Sequence, residues 1–358
     1  MLNFLKIRLP GDFLADSFAD RMSAPIIAIL FALTISAQAQ PTAPTVSAGT
    51  ELRPRASPYP VGLSTHAMDV AGQRREYAVH VPPNLTVAPV AVVLVLHGGG
   101  GVGLNATREG SHPLSVFRAV ADREAFVAVY PLGSMALDGR VGWSDCRGDD
   151  RMHKGQDDIP FLAALIERLN REYTLPASRI FMTGTSNGAM MTHAMAMTRP
   201  DLLGAVATAG GSLAAAPKPG ACAKGPTQPL PILMAHGTAD TQMPHEGGCV
   251  ANLGGRCNRG TVVSAEATRD RWLQANGLSG IQPRQQVIDS DTTDAGPAIR
   301  FDFDGPYPVQ WWQLEGAGHT VPSRSVRLPS NRQTGVQNRD VEFAEIAWAF
   351  FKERLPSN

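Results

Sequence analysis

Runs of uninterrupted apolar residues alternate along this chain with stretches in which apolar positions recur every three or four residues. Val90–Leu96 (VAVVLVL) is apolar throughout, the pattern of a strand covered on both faces. Ile159–Tyr173 (IPFLAALIERLNREY) carries apolar residues at helical spacing behind Asp157 and Asp158, where carboxylates favour the positive end of a helix dipole. The same reading predicts further strands over Glu76–Val81, Phe126–Tyr130, Ile180–Thr183, Gly204–Thr208, Ile232–Ala235 and Val309–Leu314. Helices are predicted over Leu114–Ala125, Asn187–Met197, Ala265–Ala275 and Val341–Leu355. Alternation of this kind predicts the α/β class, with a mostly parallel central sheet covered by helices on both faces. Trp311 and Trp312 are neighbours on a predicted strand, so they point to opposite faces and both pack into core. Met190, Met191, Met195 and Met197 read as adaptable filler on one helix. The long Gly- and Pro-rich connections at 213–230 and 241–264 are candidates for specificity loops or a lid.

Composition narrows the partners. Among 358 residues, 43% are apolar, enough for a large core. Basic and acidic residues balance at 32 each, so the chain has no electrostatic footprint for nucleic acid or an anionic membrane surface. The apolar run Ala24–Ile35 (APIIAILFALTI) ends before Ala37-Gln38-Ala39, a small-x-small pattern that predicts a signal peptide over 1–39, cleavage after Ala39, and a secreted or periplasmic product. The run is too short for a membrane span. Asp12, Asp16 and Asp20 fit a signal n-region poorly, so Met22 is the alternative start. Residues 40–60, rich in Pro, Ser, Thr and Ala, read as a flexible leader. Export makes Cys146, Cys222, Cys249 and Cys257 candidates for two disulfides, with three pairings open. Cys249 with Cys257 is favoured because a glycine-rich stretch joins them. No CxxC or CxxH spacing supports a zinc site, and no metal is expected.

The chemistry concentrates in Gly184-Thr185-Ser186-Asn187-Gly188, a G-x-S-x-G pentapeptide between a predicted strand and a predicted helix. There a serine hydroxyl is lifted off the sheet edge by a strained turn, and glycine is required where a Cβ would clash. On its own the pentapeptide also fits an ordinary helix cap, but three further elements support it. His97-Gly98-Gly99-Gly100-Gly101 follows the most apolar strand, and Gly98 and Gly99 are expected to offer oxyanion donors alongside the Asn187 amide. His97 itself reads as a loop-fixing residue. Asp240, at the end of Met234-Ala235-His236-Gly237-Thr238-Ala239, can hold an imidazole in the correct tautomer, with His236 bonding inside the loop. His319 lies in Glu315-Gly316-Ala317-Gly318-His319-Thr320, where small residues let a loop carry the ring over the sheet edge. His80, His193 and His245 have no such setting. The order Ser186, Asp240, His319 is that of the α/β-hydrolase fold, which makes 61–358 a single catalytic domain.

At these residues the chain resembles the exported esterase family that includes polyhydroxybutyrate depolymerase-type and feruloyl esterase-type enzymes. The matching segments are VVLVLHGGGG, the Asp157-Asp158 pair with its helix, FMTGTSNGAMM, MAHGTADTQMPHEGG, RWLQANGL and EGAGHTVP, which span nearly the whole chain from Arg75 onward. The resemblance implies that Ser186, Asp240 and His319 form a catalytic triad, that no cofactor is needed, and that Pro244 to Gly248 line the way into the site. It implies a small-molecule or polymeric ester as substrate: a hydroxyalkanoate oligomer or polymer or another short acyl ester, with a feruloyl or acetyl ester of plant polysaccharide as the alternative. The chain departs from relatives at Val321, where many have tryptophan, and at Leu278, where some have cysteine.

Two other groups invite a functional reading. Trp143, in Trp143-Ser144-Asp145-Cys146, could contact substrate or pack. The cluster Asp149, Asp150, His153, Asp157 and Asp158 matches no EF-hand spacing, so an acidic loop leading into a helix is preferred to a cation site. A non-catalytic binding protein on a hydrolase scaffold is the reading from a different class, and the intact serine, acid, base and glycine loop argue against it.

Overall fold

The computed structural model describes residues 57–85, 90–100, 102–251 and 257–356. The expected signal peptide, the Met22 start and most of the leader lie outside these residues. The elements in chain order are β1 (Gly62–Val70), β2 (Gln73–Val81), β3 (Val92–Leu96), α1 (Val116–Glu124), β4 (Val127–Pro131), β5 (Ser134–Met135), β6 (Val141–Gly142) and α2 (Ile159–Tyr173). There follow β7 (Ile180–Thr185), α3 (Asn187–Thr198), β8 (Ala205–Ala209), α4 (Ala221–Lys224), β9 (Ile232–Gly237), β10 (Gly248–Cys249) and β11 (Thr261–Val262). Last come α5 (Ala265–Ala275), β12 (Arg284–Ile288), β13 (Ala298–Phe303), β14 (Val309–Leu314) and α6 (Phe343–Lys352).

Ten strands form one sheet in the order β1-β2-β4-β3-β7-β8-β9-β14-β13-β12. The six from β4 to β14 run parallel, and an antiparallel pair flanks them at each edge. This is the mixed, mostly parallel sheet of the α/β-hydrolase fold. The apolar strands explain the layering, because successive Cβ atoms of a strand alternate between faces. Val92, Leu94 and Leu96 of β3 join the core beneath α2, α3 and α5, whereas Val93 and Val95 join the core beneath α1 and α6. Trp311 and Trp312 divide between the same two cores, as their adjacency predicts. The C-terminal helix is anchored by stacked aromatics: Trp348 lies 4.1 Å from Phe126, and Phe351 lies 4.7 Å from Phe181. Burying a side chain of that size contributes about 1.5–3 kcal/mol.

Three strands of the main sheet were not predicted, nor were the short elements β5, β6, α4, β10 and β11. β1, the first strand of the β1–β2 hairpin, has no apolar run, and β12 (RQQVI) is an exposed edge strand. β13 alternates polar and apolar residues at the sheet's flank. One boundary is corrected: the leader was expected to extend to residue 60, but Tyr59 is buried. Its hydroxyl donates to Glu172 at 2.5 Å and its ring meets His66 edge-on. An aromatic with a polar tip is held where both ends find partners.

Candidate active site

Four loops at the C-terminal ends of parallel strands converge, the usual place for function in such sheets. Gly98 and Gly99 follow β3, Ser186 follows β7, Asp240 follows β9 and His319 follows β14. Ser186 has φ 54° and ψ −124°, a conformation that costs a non-glycine residue about 1–3 kcal/mol. The sequence enforces this turn through its flanking glycines. A Cβ on Gly184 would lie 2.5 Å from the Gly188 carbonyl, and one on Gly188 would lie 2.4 Å from the His97 oxygen. The Ser186 N–H is anchored to Ala209 O at 2.9 Å.

The turn aims the hydroxyl at His319. His319 Nε2 is 2.8 Å from Ser186 Oγ, and His319 Nδ1 is 2.7 Å from Asp240 Oδ2. Asp240 Oδ1 accepts the N–H groups of Gln242 and Met243 at 2.9 and 2.8 Å. Burial pushes the Asp240 carboxyl up, but His319, with His236 and the Met243 N–H, outweighs it and holds the group below the usual carboxylate range. The Asp240 and His319 loops are joined directly: Ala239 N–H donates to Ala317 O at 3.0 Å, and a Cβ on Gly237 would lie 2.2 Å from that oxygen. Such a line of hydroxyl, imidazole and buried carboxylate can pass a proton from the serine to the ring while the carboxylate stabilises the resulting charge.

Gly98 and Gly99 face the same point. A Cβ on Gly98 would lie 3.3 Å from Ser186 Cβ, and one on Gly99 would lie 3.2 Å from Asn187 Cβ. Asn187 opens α3, where the first N–H groups have no partner within the helix. His97 fixes the glycine loop. Its Nδ1 donates to Gly98 O at 2.8 Å while its Nε2 accepts the Gly133 N–H at 3.0 Å, which leaves the ring neutral. Burial, set against the Gly98 carbonyl, keeps its pKa below the ordinary value. His236 likewise bonds inside its loop, to Met243 O at 2.9 Å.

Two expectations about substrate contact are corrected. Trp143 is fully buried and stands outside the cleft. Its Nε1 donates to His97 O at 2.8 Å, so it packs beneath the glycine loop. Pro244 does not line the cleft either, because it begins a turn closed by Gly247 N–H to Pro244 O at 2.8 Å. Gln242, Met243, Val250 and Ala251 take that position around a space of ≈ 300 Å³.

A layer that sequence reasoning missed supports Asn187. Its side-chain oxygen accepts the Trp143 N–H at 2.6 Å, and its nitrogen donates to Trp143 O at 2.9 Å and to Asp145 Oδ2 at 2.8 Å. Asp145 is in turn bound by Arg147 at 2.7 Å, and both are buried. The acidic cluster is similarly engaged. Asp150 meets Arg147 and His153. Asp158, expected to act through the helix dipole, instead pairs with Arg75 and accepts the Ser144 N–H, both at 2.7 Å. Among the described residues no group of three or more His, Cys, Asp or Glu is placed to hold a metal, and no helix is long and apolar enough to cross a membrane. Disulfides join Cys146 to Cys222 and Cys249 to Cys257.

The chain is similar to known esterases. Residues 86–252 match the phospholipase/carboxylesterase family model. "Putative esterase NocK" of Nocardia uniformis is 29% identical over 297 residues, covering 79% of this chain and 81% of that protein. "Probable acetylxylan esterase A" of Aspergillus terreus is 28% identical over 284 residues, 69% of this chain and 80% of that protein. The solved acetyl xylan esterase from Aspergillus awamori superposes with a TM-score of 0.50 at 19% identity, over 73% of this chain and 95% of that one. Its sheet order and these similarities give the chain the α/β-hydrolase fold, and its residues 86–252 are similar to the phospholipase/carboxylesterase family.

Proposed function

We propose that the chain is an exported serine esterase in which Ser186 is the nucleophile, His319 the general base and acid, and Asp240 its orienting partner. The observation that carries this reading is the unbroken line from Ser186 Oγ through His319 to Asp240, at 2.8 and 2.7 Å, on a strained strand-to-helix turn. As Oγ attacks the ester carbonyl, His319 Nε2 takes its proton and the carbonyl π electrons move to oxygen. The amides of Gly98, Gly99 and Asn187 receive that oxyanion. Its collapse breaks the bond to the alcohol, which leaves with the proton from His319. Water then gives a proton to His319, attacks the acyl-enzyme and releases the acid and the free serine. Side chains and amides supply every group, so the reaction calls for no cofactor.

Export is supported by the two disulfides, which persist in oxidising compartments. On substrate, the reading is a hydroxyalkanoate oligomer or another short acyl ester. An acetyl ester of plant polysaccharide is the second reading, favoured by relatives named as acetylxylan esterases. The test is hydrolysis of a hydroxybutyrate oligomer, methyl ferulate and acetylated xylan by wild type and Ser186→Ala, with fluorophosphonate labelling of both. Labelling confined to wild type and a loss of about a thousandfold or more in the variant are expected. A folded wild type that resists the label would overturn the serine-esterase reading.

A further inference from the structure

Three arginines, Arg140, Arg147 and Arg259, line the cleft around Ser186, and among the described residues no aspartate or glutamate does. In a chain with equal numbers of acids and bases this is a local excess of one sign, and its residues differ in how they are held. Arg147 is buried between Asp145 and Asp150. Arg259 is paired with Asp138. Arg140 is exposed, and among the described residues no carboxylate pairs with its guanidinium. Asp138, the nearest acid in sequence, accepts the Arg140 backbone N–H at 3.2 Å and pairs with Arg259 instead.

The placement of Arg140 is built in. It precedes β6, whose Gly142 lies so close to the candidate oxyanion residue that an added Cβ would be 2.8 Å from Asn187 Oδ1. The β5–β6 hairpin therefore carries the cation beside the reaction centre. A cationic wall without anions raises the local concentration of anionic ligands, and a guanidinium offers a planar fork that matches a carboxylate.

We infer that Arg140 recognises a carboxylate on the substrate, so that the site prefers esters bearing a free carboxyl group near the scissile bond. This rests on the serine-esterase reading above. The carboxylate has two chemical sources: the free end of a short hydroxyacid oligomer, or a uronic acid on an acetylated polysaccharide.

Two substrate pairs separate these sources: the 3-hydroxybutyrate dimer against its terminal primary amide, and acetylated glucuronoxylan against its carboxyl-reduced form. Wild type is expected to prefer the charged member of one pair by about tenfold in kcat/KM, a difference of about 1.4 kcal/mol. The preference should reside in KM, because a contact made equally to substrate and transition state is uniform binding. It should shrink between about 0.05 and about 0.5 M salt. Arg140→Gln should bring the ratio to near one while leaving hydrolysis of the neutral member unchanged, and Arg140→Lys should keep part of it. Hydrolysis without charge preference in either pair, or a preference that survives Arg140→Gln, overturns the inference and leaves the esterase reading intact. Failure to cleave any of the four, with Ser186 unlabelled by fluorophosphonate, overturns both.

Discussion

The side-chain nitrogen of Asn187 donates to Asp145 Oδ2 at 2.8 Å, across 42 residues of sequence. Asp145 shares that carboxylate with Arg147, so the residue after the candidate nucleophile is tied to a buried ion pair. Removing one partner of such a pair leaves an uncompensated charge and costs about 3–5 kcal/mol. Asp145→Ala is therefore expected to lower stability by that amount in urea unfolding. It should also lower kcat by about tenfold, less than outright loss of an oxyanion donor, with KM little changed. Asp145→Asn keeps an acceptor for Asn187 and should recover most of kcat but not the stability. Equal kcat losses in both variants would detach Asp145 from the positioning of Asn187.

The backbone strain at Ser186 is separable from its chemistry. Ser186→Ala and Ser186→Gly both remove the hydroxyl, yet only glycine accepts φ 54° without steric cost. Relief of about 1–3 kcal/mol exceeds the roughly 0.5–1 kcal/mol of extra chain entropy that glycine loses on folding. The glycine variant should therefore be the more stable of two inactive proteins by about 1 kcal/mol, read as a higher denaturation midpoint. An alanine variant equal to or more stable than glycine would show that the turn stores no strain.

What was legible in the sequence follows from how local each signal is. The β3 strand, the α2 helix and the Gly-x-Ser-x-Gly turn announce themselves within a dozen residues, because periodicity and steric need for glycine are short-range. Asp145 and Arg147 gave no such signal, since their meaning depends on Asn187 arriving from the start of α3. Trp143 was ambiguous for the same reason: an indole in a polar loop looks identical whether it meets substrate or, as here, supports a carbonyl from below. The edge strand β12 was missed because an exposed strand has no apolar face to repeat.

His193, buried in α3, accepts the Trp272 indole N–H on Nδ1 at 3.1 Å, and its protonation would break that bond. Burial lowers its pKa from 6.5 to about 4, against an opposing pull from the Gly211 backbone. The unfolded chain then binds the proton more readily, so the contribution is fully present above about pH 6.5 and is lost as pH falls toward 4. At 1.36 kcal/mol per unit, the loss reaches at most about 3 kcal/mol. Urea midpoints should fall across this window in wild type and less steeply in His193→Gln, which keeps an acceptor for Trp272. Parallel pH profiles would remove His193 as the source.

The two disulfides close loops of very different size, with sequence separations of 76 for Cys146–Cys222 and 8 for Cys249–Cys257. In the chain-entropy account, the longer loop stabilises by about 4.5 kcal/mol and the shorter by about 2.5 kcal/mol. Cys146 also sits between Asp145 and Arg147, so releasing it loosens the loop that holds Asn187. Paired Cys→Ser substitutions should therefore separate on two readouts. Loss of Cys146–Cys222 should lower both the unfolding free energy and kcat, whereas loss of Cys249–Cys257 should lower the unfolding free energy less. The shorter bridge closes the segment leading from Val250 and Ala251 of the cleft wall, so its removal should appear chiefly in KM. If the short bridge proved the more stabilising of the two, loop entropy would not be what these disulfides contribute, and strain or residual structure in the unfolded chain would have to account for the order.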